Sequence, residues 1–237
     1  MTEPGAFPRD EASADDPLAG HLEASGLAGS LATSIHSCLL NCRRLVAGDP
    51  DTAFGLSDWR HVSYADVVAA LQTCGVGLGD VRLDGDDPTG TAYIDPASTL
   101  RGISRHRDGL AALAGSGARV LLATGHAFAL LPHYAALARA LSAAGCTLLR
   151  PLDGQRDSVR LPDGQPASIR YLDGVATLAS HGALLHTHRP EYMESMLETL
   201  GGRQEVDAVI GDHGFAGAAL EAGIPTYAIA DANDPGL

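Results

Sequence analysis

One stretch constrains the fold more than any other. Arg119-Val-Leu-Leu-Ala-Thr124 is an apolar run of the length of a buried strand. Gly125-His126 turns the chain, and Leu130, Tyr134, Leu137 and Leu141 then recur at helical spacing until Gly145. Thr147-Leu-Leu149 reads as the next strand. Strand, helix and strand within about 30 residues form a βαβ unit, which sets two strands parallel.

The segments that follow extend this pattern. Asp207-Ala-Val-Ile210 and Thr226 to Ala230 are expected strands, separated by a small-residue helix over Phe215 to Ala222. Met193, Met196, Leu197 and Leu200 mark another helix, with Pro190 near its first turn. Between them Asp-Gly recurs at 153, 163 and 173, a strong turn dipeptide, so 150–188 is expected to form a β-hairpin excursion. Upstream, Leu27, Leu31, Ile35, Cys38, Cys42 and Leu45 predict one long helix over His21–Val46, stopped by Gly48-Asp49-Pro50. A helix through Tyr64, Val67, Val68 and Leu71 is capped by Ser63, residues 75–92 read as a surface loop, and Asp95-Pro96 opens a third helix.

The expected fold class is α/β: a mostly parallel, three-layer, Rossmann-like sheet with an N-terminal helical layer and a β-hairpin excursion. Residues 1–18 read as a disordered acidic tail. Residues 19–237 read as one domain, with 19–115 as the helical layer and 116–237 as the βαβ sheet core. The apolar stripe of the first helix can cover the sheet or pair with a second copy, which makes a homodimer the expected assembly.

Charge narrows the function. The 16 basic residues are all arginine, against 29 acidic ones, for a net charge of -13. Without lysine there is no Schiff base, no GK[ST] phosphate loop and no lysine base. An acidic surface disfavours nucleic acid and anionic membranes as partners. Cys38, Cys42, Cys74 and Cys146 make no CxxC pair, and Cys38 and Cys42 share a helix face that suits packing. With no signal peptide, no disulfide framework and no run long enough to span a membrane, a cytoplasmic protein is expected.

Four constellations fall at strand ends, where ligands bind in open α/β sheets. Thr124-Gly125-His126 combines a close-approach glycine with a histidine before a helix, a place that favours anions. His186-Thr187-His188-Arg189 puts two imidazoles on one face of a strand, for a metal or a phosphate, and adds an arginine fork. Gly211-Asp212-His213-Gly214-Phe215-Ala216-Gly217 concentrates four special residues in one βα turn. Asp231-Ala232-Asn233-Asp234 supplies carboxylates and an amide for a hard cation or a sugar hydroxyl, or forms an Asx turn before Pro235. No GxSxG elbow exists, and no cysteine sits at such a junction.

These stretches together resemble a family of actinobacterial phosphatases. The matching segments are Gly48-Asp49-Pro50 with Phe54-Gly55-Leu56, VLLATGH at Val120–His126, Leu130-Leu131-Pro132-His133-Tyr134, His186-Thr187-His188, GDHGFAG at Gly211–Gly217 and DANDP at Asp231–Pro235. They run from about residue 45 to 235. The family's turn usually reads Gly-His-Pro, whereas position 127 here is alanine. The resemblance implies phosphate ester hydrolysis.

The resulting expectation is a phosphatase acting on a small phosphorylated metabolite: a sugar, a nucleoside or a biosynthetic intermediate. His126, Asp212 and His213 are the expected catalytic residues. Thr124, Gly125, Arg189, Gly214 and Asn233 are expected to bind the phosphate or substrate, with the helix N-termini at Gly125 and Gly214 as its cradle. His186, His188, Asp212 and Asp231 are candidate ligands for a divalent Mg, Mn or Zn ion. A lyase, dehydratase or isomerase on a phosphorylated or nucleoside-like substrate would use nearly the same turns. A non-catalytic small-anion-binding protein would bind there without turnover.

Overall fold

In the computed structural model, residues 17–79 and 88–237 are described. The expected tail falls outside them, apart from its last two positions, which open helix α1 (Pro17–Ala24). Part of the expected 75–92 loop also lies outside the described residues.

The long first helix is not formed. After α1 the chain passes Gly26 and Gly29, both left-handed at φ 71° and 80°, and enters strand β1 (Gly29–Ser34). Ser34 then caps α2 (Ile35–Val46), its hydroxyl accepting from the Ser37 amide at 3.1 Å. The glycines break a spacing that otherwise suits a helix. Short α3 (Pro50–Ala53) and α4 (Tyr64–Thr73) follow, the latter with Ser63 and Asp66 in a reciprocal capping box. The expected loop contains two more strands, β2 (Val76–Gly77) and β3 (Thr91–Ile94), which join β1 in a small antiparallel sheet. Helix α5 (Pro96–Ser116) starts at Asp95, as its sequence predicts.

From Ile35 onward the apolar stripe is buried within the chain, whereas Leu27 stays exposed. Ile35, Cys38, Leu39, Cys42 and Leu45 pack with Val67 and Val68 of α4 and with Ala232 from the C-terminal segment. Burial pushes the Cys38 thiol to about 11 and the Cys42 thiol to about 12, so neither is a thiolate nucleophile at neutral pH.

The larger sheet is built around β4 (Arg119–Thr124). The predicted βαβ unit is present: β4, α6 (Leu131–Ala143) and β5 (Thr147–Leu148), with the strands parallel. Beyond it come β6 (Val159–Arg160), β7 (Pro166–Leu172), β8 (Val175–Ser180) and β9 (Ala183–Leu185), the excursion expected from the Asp-Gly dipeptides. Asp173 and Gly174 are both left-handed, at φ 49° and 86°, and close the β7–β8 hairpin in two residues. Helix α7 (Glu191–Leu200), strand β10 (Ala208–Gly211), helix α8 (His213–Glu221) and strand β11 (Thr226–Ala228) complete the domain.

The larger sheet is mixed, with its core pairs parallel as expected and the hairpin excursion antiparallel. Strands β11, β10, β4 and β8 run parallel, whereas β7, β6 and β9 are antiparallel because tight hairpins reverse them. One face carries Leu121, Ala123, Ile169 and Leu178 against Met193, Met196 and Phe215 of α7 and α8. The other carries Val120, Leu122, Val175 and Ile210 against Tyr134, Ala138 and Leu141 of α6, with Leu110 and Leu113 of α5 beside them. No helix among the described residues is long and apolar enough to cross a membrane.

Candidate active site

The carboxyl ends of β4, β10 and β11 lie on one edge, and their turns meet there. Strand β8 extends past the end of β4, and β9 folds back antiparallel beside it. The return carries His186-Thr187-His188 across the mouth of β4, where the Thr187 amide donates to the Gly125 carbonyl at 3.1 Å. Thr187 is buried, and the two histidines on either side of it share the opposite face.

Four imidazoles converge on this edge. Ring centroids lie 4.1 Å apart for His126 and His213, 4.3 Å for His126 and His186, 4.1 Å for His188 and His213, and 4.8 Å for His186 and His188. One nitrogen each of His126, His186 and His213 lies within 4.8 Å of the other two. Their surroundings grade from His213, buried, through His126 to His186, exposed. Burial first and His213 second lower the His126 pKa; burial, then His126, His188 and His213, hold His186 down at about 4. Both are therefore neutral, the form that binds metals.

Two buried carboxylates frame His213. Asp212 accepts from Thr124 Oγ1 at 2.6 Å and from the Gly125 amide at 2.7 Å, tying the β4 and β10 turns together. Its Oδ1 lies 4.0 Å from Nδ1 of both His126 and His213. Burial raises the Asp212 pKa, offset in part by the Thr124 hydroxyl and then His213. Tyr134 is buried beside it, and burial, then the Asp212 charge, push that phenol far above its usual range. Asp234 lies on the other side, its Oδ2 3.6 Å from His213 Nε2. Burial alone would raise the Asp234 pKa, but His213 and the Asp231 amide outweigh it and leave the carboxyl below its ordinary value.

His213 is the hinge of the arrangement. It sits in the left-handed region at φ 45°, a costly conformation for a residue with a side chain, held by the packing around it. Phe54 stacks on its ring at 5.3 Å with an interplanar angle of 1°. The carboxylate beside Nε2 favours the proton there, and the buried Nδ1 has no hydrogen-bond partner among the described residues. His188 is anchored separately, its Nδ1 donating to the Asp51 carbonyl at 2.7 Å.

The glycines admit protein backbone. A Cβ on Gly125 would strike the Thr187 carbonyl and crowd Asp212 and His213; one on Gly214 would strike the His188–Arg189 backbone; one on Gly217 would strike the Phe54 carbonyl. Gly214 thus lets the chain that follows β9 pass close over the start of α8. His126 is not at a helix start, since a turn closed by its carbonyl precedes α6 at Leu131.

Of the expected residues, Thr124, Gly125, His126, His186, His188, Asp212 and His213 meet at this edge. Arg189 is turned to Glu191, donating from Nε at 2.9 Å, so its fork is already occupied by a local acid. Asn233 contributes its backbone carbonyl, which accepts from Asn41 Nδ2 at 2.8 Å. Asp231 is exposed and accepts from the Ala232 amide and, at 3.4 Å, from Thr33. Asp234, three residues on, is the carboxylate that faces the histidines. Phe54 and the Asp51 carbonyl also had no role in the expected site.

The Phosphatase family profile matches residues 13–237. A Streptomyces coelicolor protein named Phosphatase SCO2771 is 36% identical over 225 residues, which is 93% of this chain and 81% of that protein. No solved structure gives a significant match.

Proposed function

The chain belongs to the Phosphatase family, and from that premise we propose that it hydrolyses phosphate monoesters of small metabolites at a metal centre held by His126, His186 and His213. The observation that carries this reading is the trio of imidazole nitrogens within 4.8 Å of one another. The residues fit a divalent ion. The buried Nδ1 of His213 lacks a hydrogen-bond partner among the described residues, and a carboxylate behind the ring is the usual support for a ligating histidine. Three imidazole nitrogens favour Zn²⁺ over Mg²⁺, which prefers oxygen.

The charge balance supports the same reading. Around the cluster stand Asp212, Asp234 and Asp231, while Arg189 is engaged by Glu191. A dianionic phosphate approaching these carboxylates needs a compensating cation. When bound, a divalent ion supplies that charge, polarises the phosphoryl group and lowers the pKa of water.

The chain's own residues do the rest. Asp212 fixes the β4 and β10 turns and so the separation of His126 and His213. Asp234 holds the His213 ring with its proton on Nε2. His188 lies outside the three-nitrogen set with Nδ1 anchored as a donor, so its imidazolium form, with a second proton on Nε2, would hand that proton to the departing alcohol oxygen.

The test is phosphate release from sugar and nucleoside monophosphates, with chelator and with added Zn²⁺, Mn²⁺ or Mg²⁺. Release that disappears in chelator, returns with metal and is lost in His213→Ala supports the reading. Full release in chelator defeats the metal centre, and no release with any metal defeats the phosphatase.

A further inference from the structure

The β6–β9 excursion carries a cavity of about 480 Å³ that the histidine cluster does not use. Arg156 and Arg170 line it, together with Ser168, Ala179 and Leu184. Its position follows from the register. Arg170 pairs with Thr177 across β7 and β8, and Thr177 pairs with Thr124 across β8 and β4. Paired residues share a face, so these three side chains form a row on the α6 side of the sheet. Two strand spacings separate Arg170 from Thr124, about 10 Å. Ala179 pairs with Leu184 on β9, and His186 comes two residues later, just past the end of that strand at Leu185. The β9 return therefore leads from the cavity to the histidine cluster, and the Arg170–Thr177–Thr124 row ends at the turn that carries His126.

Arg101, Arg119, Arg139, Arg150 and Arg189 each have a carboxylate partner. Among the described residues, Arg156 and Arg170 have none, in a chain with 29 acids to 16 arginines. Arg44, Arg60, Arg105, Arg160 and Arg203 also lack a carboxylate partner among the described residues, and what distinguishes Arg156 and Arg170 is that they line the cavity. Asp157 also lines the cavity. It is held left-handed at φ 52° with its amide donating to Ser168 Oγ at 2.9 Å, and it forms no ion pair with either guanidinium. Two unengaged guanidinium forks beside a cavity match a carboxylate or phosphate.

We propose that Arg156 and Arg170 bind a second anionic group, of phosphate or carboxylate type, on a substrate whose scissile phosphate sits at the histidine cluster about 10 Å away. The inference rests on the phosphatase reading for the first anion and names the class of substrate: a small metabolite anionic at both ends. It also assigns the excursion a task, since an arginine reached by a hairpin beside β8 recognises the part of the substrate remote from the chemistry.

The probes are hexane bisphosphonate and hexyl phosphonate, whose carbon–phosphorus bonds are not hydrolysed, so binding is read without turnover. Calorimetry on the full chain with Zn²⁺ is expected to give at least about tenfold tighter binding of the bisphosphonate. Arg156→Gln or Arg170→Gln should remove that advantage and leave hexyl phosphonate binding unchanged. The matching phosphate esters should show the same difference in KM, with kcat unaltered. Equal binding of the two phosphonates by the wild type, or an advantage that survives in Arg170→Gln, would overturn the subsite. Release from neither ester, with the bisphosphonate advantage intact and lost in the variants, would defeat the phosphatase reading and leave the subsite standing.

Discussion

His213 presents Nε2 to Asp234 Oδ2 at 3.6 Å, while Nδ1 of the same ring is buried without a hydrogen-bond partner among the described residues. One side of the imidazole is supported by a carboxylate and the other is left for a ligand. Asp234→Asn is expected to weaken Zn²⁺ binding by about 10- to 100-fold, because the ring loses the group that fixes its tautomer. A zinc titration checks this; an unchanged affinity would remove Asp234 from the site's support.

The histidines set a pH signature. Burial and the neighbouring imidazoles hold His186 at about 4, against 6.5 in the unfolded chain. As the pH falls from 6.5 toward 4, the unfolded chain takes up a proton that the folded site refuses, so metal-free protein loses stability through that window. The raised pKa of Asp212 acts in the opposite sense, since the folded state then takes up that proton first. Removing the refusal isolates it: His186→Ala should show a smaller drop in melting temperature between pH 7 and pH 4.5 than the wild type. Identical drops would contradict the assigned environment of His186.

His188 gives a leaving-group test. As the proton donor to the departing oxygen, it matters most when that oxygen is a poor leaving group. His188→Ala should cost about 100-fold in kcat for an alkyl phosphate and much less for p-nitrophenyl phosphate. Equal losses for both would mean that His188 does not deliver the proton.

Gly217 lies about one turn of α8 beyond His213, its Cα faces the Phe54 carbonyl, and Phe54 stacks on His213. Gly217→Ala forces two backbones apart. A loss of about 1–3 kcal/mol in denaturant unfolding is expected, with reduced activity as Phe54 shifts. Full stability and activity would show that the α3–Phe54 segment is free to move away.

The parts of the site visible in the sequence are those that sit directly on regular elements. His126, Asp212 and His213 follow strands whose apolar runs are unmistakable, and Asp-Gly at 173 announces the hairpin that ends in the His186–His188 return. What was hidden depends on contacts far apart in sequence. Asp231 and Asp234 look equivalent in Asp-Ala-Asn-Asp, and only the burial of Ala232 against α2 and the Asn41–Asn233 bond turn Asp234 inward. Arg189 reads as a phosphate fork until Glu191, two residues on, takes it. The first helix fails for a local reason: Leu27, Leu31 and Ile35 keep helical spacing, but Gly26 and Gly29 take left-handed turns that no spacing reveals. Phe54 could be found only by its own left-handed φ of 52°, a feature of the folded chain.

The most direct test of the central claim is zinc stoichiometry measured alongside phosphate release, on the wild type and on His126→Ala, His186→Ala and His213→Ala. One zinc per chain, with release that chelation abolishes and zinc restores, and with both lost in each variant, is the predicted result. Phosphate release that persists in chelator, or zinc that stays bound when these histidines are removed, would contradict it.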